Sequence, residues 1–330
     1  MTVSLKTCLF SFLIIISSAT QSTNLKDKLY STSFLKQHTT VRQELIKEGF
    51  AEITFISEDG LKLSGLFLSR PNAQCNVIAC AGFYPGKKEG MATFYSLLPD
   101  NCNILLFDAR GRGDSEGPLL RELPWYGINE YKDITGALSY LNQENDLPIF
   151  LIGLCSGAFN AAQALIHLEK DDKTAASKIK GLIFDSGWRS IIKTTRSSSI
   201  NNINQAILLL LKPLYKKNQI AKNSYPYKIL STCNSYCSTI IHSLCAMPIF
   251  SLHDHITNLT DKIHTISSPI FFIHSYNDYI RIEEAKHLSK FALNKQCWWI
   301  KNSPHACHHL AQKEAYKEKL TAFINTNLHH

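Results

Sequence analysis

Apolar and polar positions fall into two rhythms along this chain. Residues 51–57 and 61–68 alternate between apolar and polar on either side of Glu58-Asp59-Gly60, which predicts a hairpin. Beyond it, alternation gives way to short continuous apolar runs at 76–81, 103–108, 148–153, 179–185, 269–274 and 297–301. Runs of this length, bounded by turn residues, predict strands buried on both faces. Longer amphipathic stretches lie between them and predict helices at 89–98, 126–145, 158–168, 283–292 and 311–324. Such alternation implies an α/β fold with a mostly parallel sheet of about eight strands flanked by helices. Residues 23–45 form a helical or irregular lead-in.

One interval, residues 188–267, breaks the rhythm. It contains the apolar run 207–211, then Lys212-Pro213, then a Ser- and Cys-rich piece at 231–245. A long insertion between two strands of a compact sheet is most often a functional lid. The expected organisation is therefore core at 20–187, a lid or cap at 188–267 and the remaining core at 268–330. No internal repeat or low-complexity tract is present.

The first residues add an export signal to this plan. Lys6 precedes an apolar run at 8–16, which gives way to small and polar residues at 17–22. The run is short for a membrane span, and Ser17 and Ala19 suit cleavage after Ala19, so residues 1–19 read as a signal peptide and the protein as periplasmic or secreted. An uncleaved membrane anchor is the alternative.

Composition changes the picture only modestly. With 45% hydrophobic and 19% charged residues, the chain can bury a full core. The net charge of +8 comes from 35 basic and 27 acidic residues that are scattered rather than striped. That allows peripheral contact with an anionic membrane surface, and no nucleic-acid motif or partner is expected. Ten cysteines fit an oxidising compartment. The best single disulfide pair is Cys75 with Cys102, since each directly precedes a strand and the two strands should be neighbours. Cys233, Cys237 and Cys245 could bridge locally.

The chemistry gathers at strand ends. The strand at 148–152 runs into Gly153-Leu154-Cys155-Ser156-Gly157-Ala158 and then into a helix. A nucleophile on so tight a strand–turn–helix needs small residues two before and two after it. Gly153 and Gly157 meet that need around Cys155, whereas the rival Ser156 would put Leu154 in the turn. Ala81-Gly82-Phe83-Tyr84-Pro85-Gly86 similarly follows a strand and precedes a helix. Its Phe83 amide, with that of Ser156, is the expected oxyanion hole.

Phe107-Asp108-Ala109-Arg110-Gly111-Arg112-Gly113-Asp114-Ser115-Glu116-Gly117 makes a family likeness plain. The chain resembles the α/β-hydrolase superfamily, in the branch with serine-aminopeptidase-like and acyl-esterase members, over roughly residues 50–190 and 250–325. Two positions depart from it: Cys155 replaces the usual serine, and Ala81 the usual histidine before the glycine. Cysteine at the elbow also resembles dienelactone hydrolases and some acyl-CoA thioesterase or acyltransferase relatives. The resemblance implies a structural role for Asp108 and Arg110. It implies an acid at Asp278, in Ser275-Tyr276-Asn277-Asp278, with Asn277 and Asp254 as weaker substitutes. It implies a base at His305, in the loop after the last strand, with His308 and His309 as close rivals.

The expectation is an exported hydrolase that cleaves an ester or thioester bond of a small-molecule or lipid-like acyl substrate, using Cys155, Asp278 and His305. Neither cofactor nor metal is expected: His305, Cys307, His308 and His309 cluster, but no further ligand completes a zinc spacing. His329 and His330 read as exposed. Alternatives are an inactive hydrolase-fold binding or effector protein, a peptidase or acyltransferase, and a membrane-surface protein. Substrate identity, disulfide pairing and oligomeric state are not legible.

Overall fold

The computed structural model describes residues 32–83, 86–117, 127–190, 194 and 248–328. The expected signal peptide, the apolar run 207–211, Cys233, Cys237, Cys245, Tyr84, Pro85, His329, His330 and most of the expected lid lie outside the described residues.

The chain enters through helix α1 (Thr32–Lys47) and the antiparallel hairpin of strands β1 (Ala51–Ile56) and β2 (Lys62–Leu68). Strands β3 (Cys75–Cys80), β4 (Cys102–Phe107), β5 (Ile149–Leu154), β6 (Ile179–Asp185), β7 (Ile270–Ser275) and β8 (Lys295–Ile300) follow. They form one eight-stranded sheet in the order β1-β2-β4-β3-β5-β6-β7-β8. β2 pairs antiparallel with β4, and every pairing from β4 through β8 is parallel.

Burial explains why the apolar runs differ. β3, β4, β5 and β7 are buried at every position, as strands covered on both faces must be. Edge strands β1 and β8 are mostly exposed or half-buried. Helices α2 (Tyr131–Glu144), α3 (Ser156–Asp171) and the short α4 (Lys173–Ser177) follow in the chain. Ile134, Leu138 and Leu141 of α2 and Phe159 and Leu165 of α3 pack on one face of the sheet. Met91 and Phe94 of a 3₁₀ segment (Lys88–Ser96) pack on the other, with Leu45 of α1 and later C-terminal residues.

The apolar pattern of residues 188–267 predicts no regular unit, yet two elements lie within its described part. Helix α5 (Pro248–Thr257) and a 3₁₀ turn (Ile263–Thr265) are present. Leu259, Ile263 and Ile266 are buried in the main core, and Gln163 of α3 donates to the Thr257 carbonyl at 2.7 Å. Helices α6 (Ile282–Ser289), α7 (His308–Ala311) and α8 (Lys313–Asn327) complete the described chain.

Strand order also says where a site belongs. The chain goes from β3 to β4 on one side, then returns to lay β5 on the other. Ligands in open α/β sheets bind beyond the carboxyl ends of the strands at such a reversal. The turns leaving β3 and β5, which carry Phe83 and Cys155, are the two that meet there.

Candidate active site

Cys155 sits between the end of β5 and the first turn of α3, with φ 56° and ψ −119°. A non-glycine residue in that region is strained and persists only where its surroundings hold it. The neighbouring glycines show how tight the turn is. A Cβ on Gly153 would lie 2.3 Å from the Ala158 Cα, and one on Gly157 only 2.1 Å from the Cys80 carbonyl oxygen. Cys155 N donates to the Asp185 carbonyl at 2.8 Å, tying the turn to the end of β6.

Ser156 is fully buried, and its hydroxyl has no hydrogen-bond partner. It is closed off from solvent, whereas Cys155 is half-buried. Ser156 opens α3, so its amide is among those left without an intrahelical acceptor. The glycine turn after β3 closes on the same point: a Cβ on Gly82 would lie 3.2 Å from the Cys155 Cβ. Arg112 stacks on the Phe83 ring at 4.7 Å, and its Nε donates to the Phe83 carbonyl at 3.4 Å.

Asp278 and His305 come together from loops 27 residues apart in sequence. His305 Nδ1 is 2.7 Å from Asp278 Oδ1 and 2.9 Å from Oδ2, and the carboxylate is wholly buried. The Ile280 amide donates to Asp278 Oδ1 at 2.8 Å, fixing the carboxylate from behind. An ionised acid there requires the proton on His305 Nδ1, which leaves Nε2 as the working nitrogen. Nε2 is buried without a closed hydrogen bond, although Cys155 is near enough to act on its protonation. Such a contact is often open in an unliganded site and tightens around substrate. Burial opposes the charged imidazole, but Asp278 and Cys155 outweigh it and raise the His305 pKa to about 10.

The rival residues have other partners. His308 is fully buried, with Nε2 3.0 Å from the Ser186 hydroxyl and Nδ1 2.7 Å from that of Ser303. His309 stacks on Phe94 at 4.9 Å. Burial pushes both of these imidazoles down to about 4. Asn277 bonds to Asn302, and Asp254 accepts from Ser190, so neither meets His305. The three histidines of the Cys/His cluster have different partners, and among the described residues no group of three or more His, Cys, Asp or Glu could hold a metal.

Tyr279 is the contributor that sequence reasoning missed. Its ring centroid lies 4.2 Å from that of His305, and its hydroxyl interacts with Cys155. Burial, then the neighbouring Cys155, raise the phenol's pKa, so it stays a neutral donor. Its position directly after Asp278 was the available signal.

The 108–117 loop is built differently. Lys88 Nζ meets the wholly buried Asp108 at 2.7 Å, and Arg110 bridges Asp133 and Asp59 at 2.8 Å each. Burial raises the Asp108 pKa and the Lys88 charge opposes it. These groups bind one another. A separate groove lined by Lys180, Ser268, Leu293, Lys295 and Asn327 lies at the amino ends of β6–β8, the far end of the sheet from Cys155.

No protein-family model matches the chain, and no curated protein matches it. Solved structures do. An esterase of Pyrococcus furiosus aligns over 84% of this chain and 91% of its own, with 18% identity and a TM-score of 0.58. A proline iminopeptidase of Mycobacterium smegmatis aligns over 84% and 99%, with 13% identity and a TM-score of 0.57. The chain has the α/β-hydrolase fold. A meta-cleavage product hydrolase of Pseudomonas fluorescens aligns similarly, over 83% of this chain and 97% of its own, with 13% identity and a TM-score of 0.55. In an α/β-hydrolase fold the turns after β3, β5 and the last two strands converge, as they do here on Cys155.

Proposed function

We propose that this protein is a hydrolase of ester or thioester bonds, with Cys155 as nucleophile, His305 as base and Asp278 as its orienting acid. The observation that carries the reading is the geometry of His305: Nδ1 held by a buried carboxylate, Nε2 unpaired and beside a thiol on a strained turn. With its pKa raised to about 10, His305 already holds the thiol's proton on Nε2 near neutral pH, and Cys155 Sγ attacks the acyl carbonyl carbon as the thiolate. The carbonyl π pair moves to oxygen, which the Phe83 and Ser156 amides receive. Collapse breaks the bond to the leaving oxygen or sulfur, and His305 returns the proton to it. Water then attacks the Cys155 thioester, His305 accepts its proton, and carboxylic acid and free thiol are regenerated.

Esterases and hydrolases among the structural neighbours support acyl chemistry, and the proline iminopeptidase keeps a peptidase reading in view. A lipid-like acyl substrate, export through residues 1–19, a lid within 188–267 and peripheral contact with anionic membranes complete the proposal. Export is consistent with Cys75 and Cys102, buried thiols on adjacent strands whose sulfurs lie 3.1 Å apart, a pair we expect a disulfide-donating oxidant to join. The second reading is an inactive binding protein, favoured by Cys155 and Ala81 where the family has serine and histidine.

A panel of short- and long-chain p-nitrophenyl esters and acyl thioesters separates the readings. Turnover in the wild type that His305→Ala removes supports the hydrolase. An unlabelled Cys155 under iodoacetamide, together with no turnover of any substrate, favours the binding protein.

A further inference from the structure

Only three non-glycine residues among the described ones have positive φ: Cys155 at 56°, Ser186 at 57° and Ala306 at 52°. All three meet at one dipeptide. Asp185 accepts the Cys155 amide through its carbonyl at 2.8 Å, and the Ser186 hydroxyl accepts the Ala306 amide at 3.0 Å. Ala306 directly follows the base, His305. The end of β6 thus holds the nucleophile's turn with one residue and the base's loop with the next.

The Ser186 hydroxyl is fully buried and fully used. It donates to Asp185 Oδ1 at 2.8 Å and lies 3.0 Å from His308 Nε2. Nδ1 of the same imidazole lies 2.7 Å from the Ser303 hydroxyl, so His308 links the two serines. Ser303 extends the chain of bonds to the end of β7, since its amide donates to Ser275 Oγ at 3.1 Å. Tyr316 of α8 donates to Asp185 Oδ2 at 2.9 Å. Each end of the 303–308 segment is therefore pinned to this buried network. Strain held at three points around one reacting pair marks a preorganised site rather than an incidental turn.

We propose that Ser186 is a positioning residue that holds His305 over Cys155 through the Ala306 amide. The inference rests on the thiol–imidazole reading of the site. Ser186→Gly is the informative change, because glycine takes the positive φ without strain while the hydroxyl is lost. Iodoacetamide modification of Cys155, read peptide by peptide in the full-chain protein at neutral pH, should slow about tenfold in Ser186→Gly. With a hydrolysed ester, kcat should fall by about tenfold or more and KM by less than about twofold.

Specificity comes from the cross with His305→Ala. If Ser186 acts through His305, Ser186→Gly has no further effect on the alkylation rate in that background. Ser186→Cys keeps a weaker acceptor at the same atom and should fall between the two. It also supplies the comparison should Ser186→Gly fail to melt cooperatively. Equal alkylation in wild type and Ser186→Gly, or an equal drop in both backgrounds, overturns the inference while leaving the His305 reading intact. If His305→Ala does not slow alkylation, the thiol–imidazole reading itself falls.

Discussion

Two polar regions at the carboxyl end of the sheet have opposite designs. The 108–117 loop is dense in charge, but its buried Asp108 and Arg110 are matched by Lys88, Asp133 and Asp59. Around Cys155 there are fewer charges, and the chain of bonds from Ile280 through Asp278 to His305 ends at an unpaired Nε2 beside a thiol. The first arrangement uses its ion pairs to hold a loop; the second sets an imidazole nitrogen without a closed bond beside a thiol. On the proposed reading, reactivity belongs where that nitrogen meets the thiol and not where charge is densest.

The largest effect that sharpens this contrast is on turnover. His305→Ala should lower kcat/KM for the best ester or thioester by about 10³-fold while the protein still melts cooperatively, although the buried Asp278 loses its partner. Stopped-flow or plate assays beside a thermal melt read both quantities, and a loss of stability in step with activity would erase the contrast. Arg110→Ala should do the reverse. It strands Asp133 and Asp59, and breaking a buried ion pair costs about 3–5 kcal/mol. Denaturant unfolding should show that loss, while the protein that remains folded alkylates at Cys155 at the wild-type rate.

A smaller effect belongs to Tyr279, which joins the site through its ring and hydroxyl. Tyr279→Phe keeps the ring against His305 and should cost less than about tenfold in kcat. Tyr279→Ala removes both contacts and should cost more, with a raised KM. Equal losses in the two variants would assign everything to the hydroxyl.

The smallest effect is on stability against pH. His308 and His309 have folded pKa values near 4 against an ordinary 6.5, so the unfolded chain binds more protons between those limits. Both contributions are present above about pH 6.5 and lost as pH falls toward 4. Asp185 opposes them, since burial raises it to about 7 and the folded state holds its proton through the same window. Asp133, which burial raises to about 6, opposes them too, so the two pairs nearly offset and the midpoint moves little between pH 6.5 and 4. His309→Phe, which keeps an aromatic ring on Phe94, removes one contribution lost in acid, so its midpoint at pH 4 relative to pH 6.5 should lie above the wild type's, with turnover unchanged.

Much of this fold was legible because buried strands are continuous apolar runs, as in Cys102–Phe107 and Ile149–Leu154. The hairpin turn at Asp59-Gly60 and the elbow glycines were legible for steric reasons. Helix Pro248–Thr257 was not, because His253, Asp254 and His255 interrupt its apolar face. Within the site, Cys155, Asp278 and His305 could be named from their places after strands. His305 was named with His308 and His309 as rivals, and what the sequence could not show is that His308 turns inward to Ser186 and His309 onto Phe94. Ser186 left no mark in the sequence, since a serine gives no sign of its φ.

The central claim is that Cys155 carries the acyl group, and trapping that species tests it most directly. Wild-type protein quenched in acid during steady-state turnover of an ester should yield a peptide with the acyl mass on Cys155. Hydroxylamine should remove that mass, and Cys155→Ala should show neither adduct nor turnover. Full turnover by Cys155→Ala, or an acyl mass on any other residue, would contradict the account.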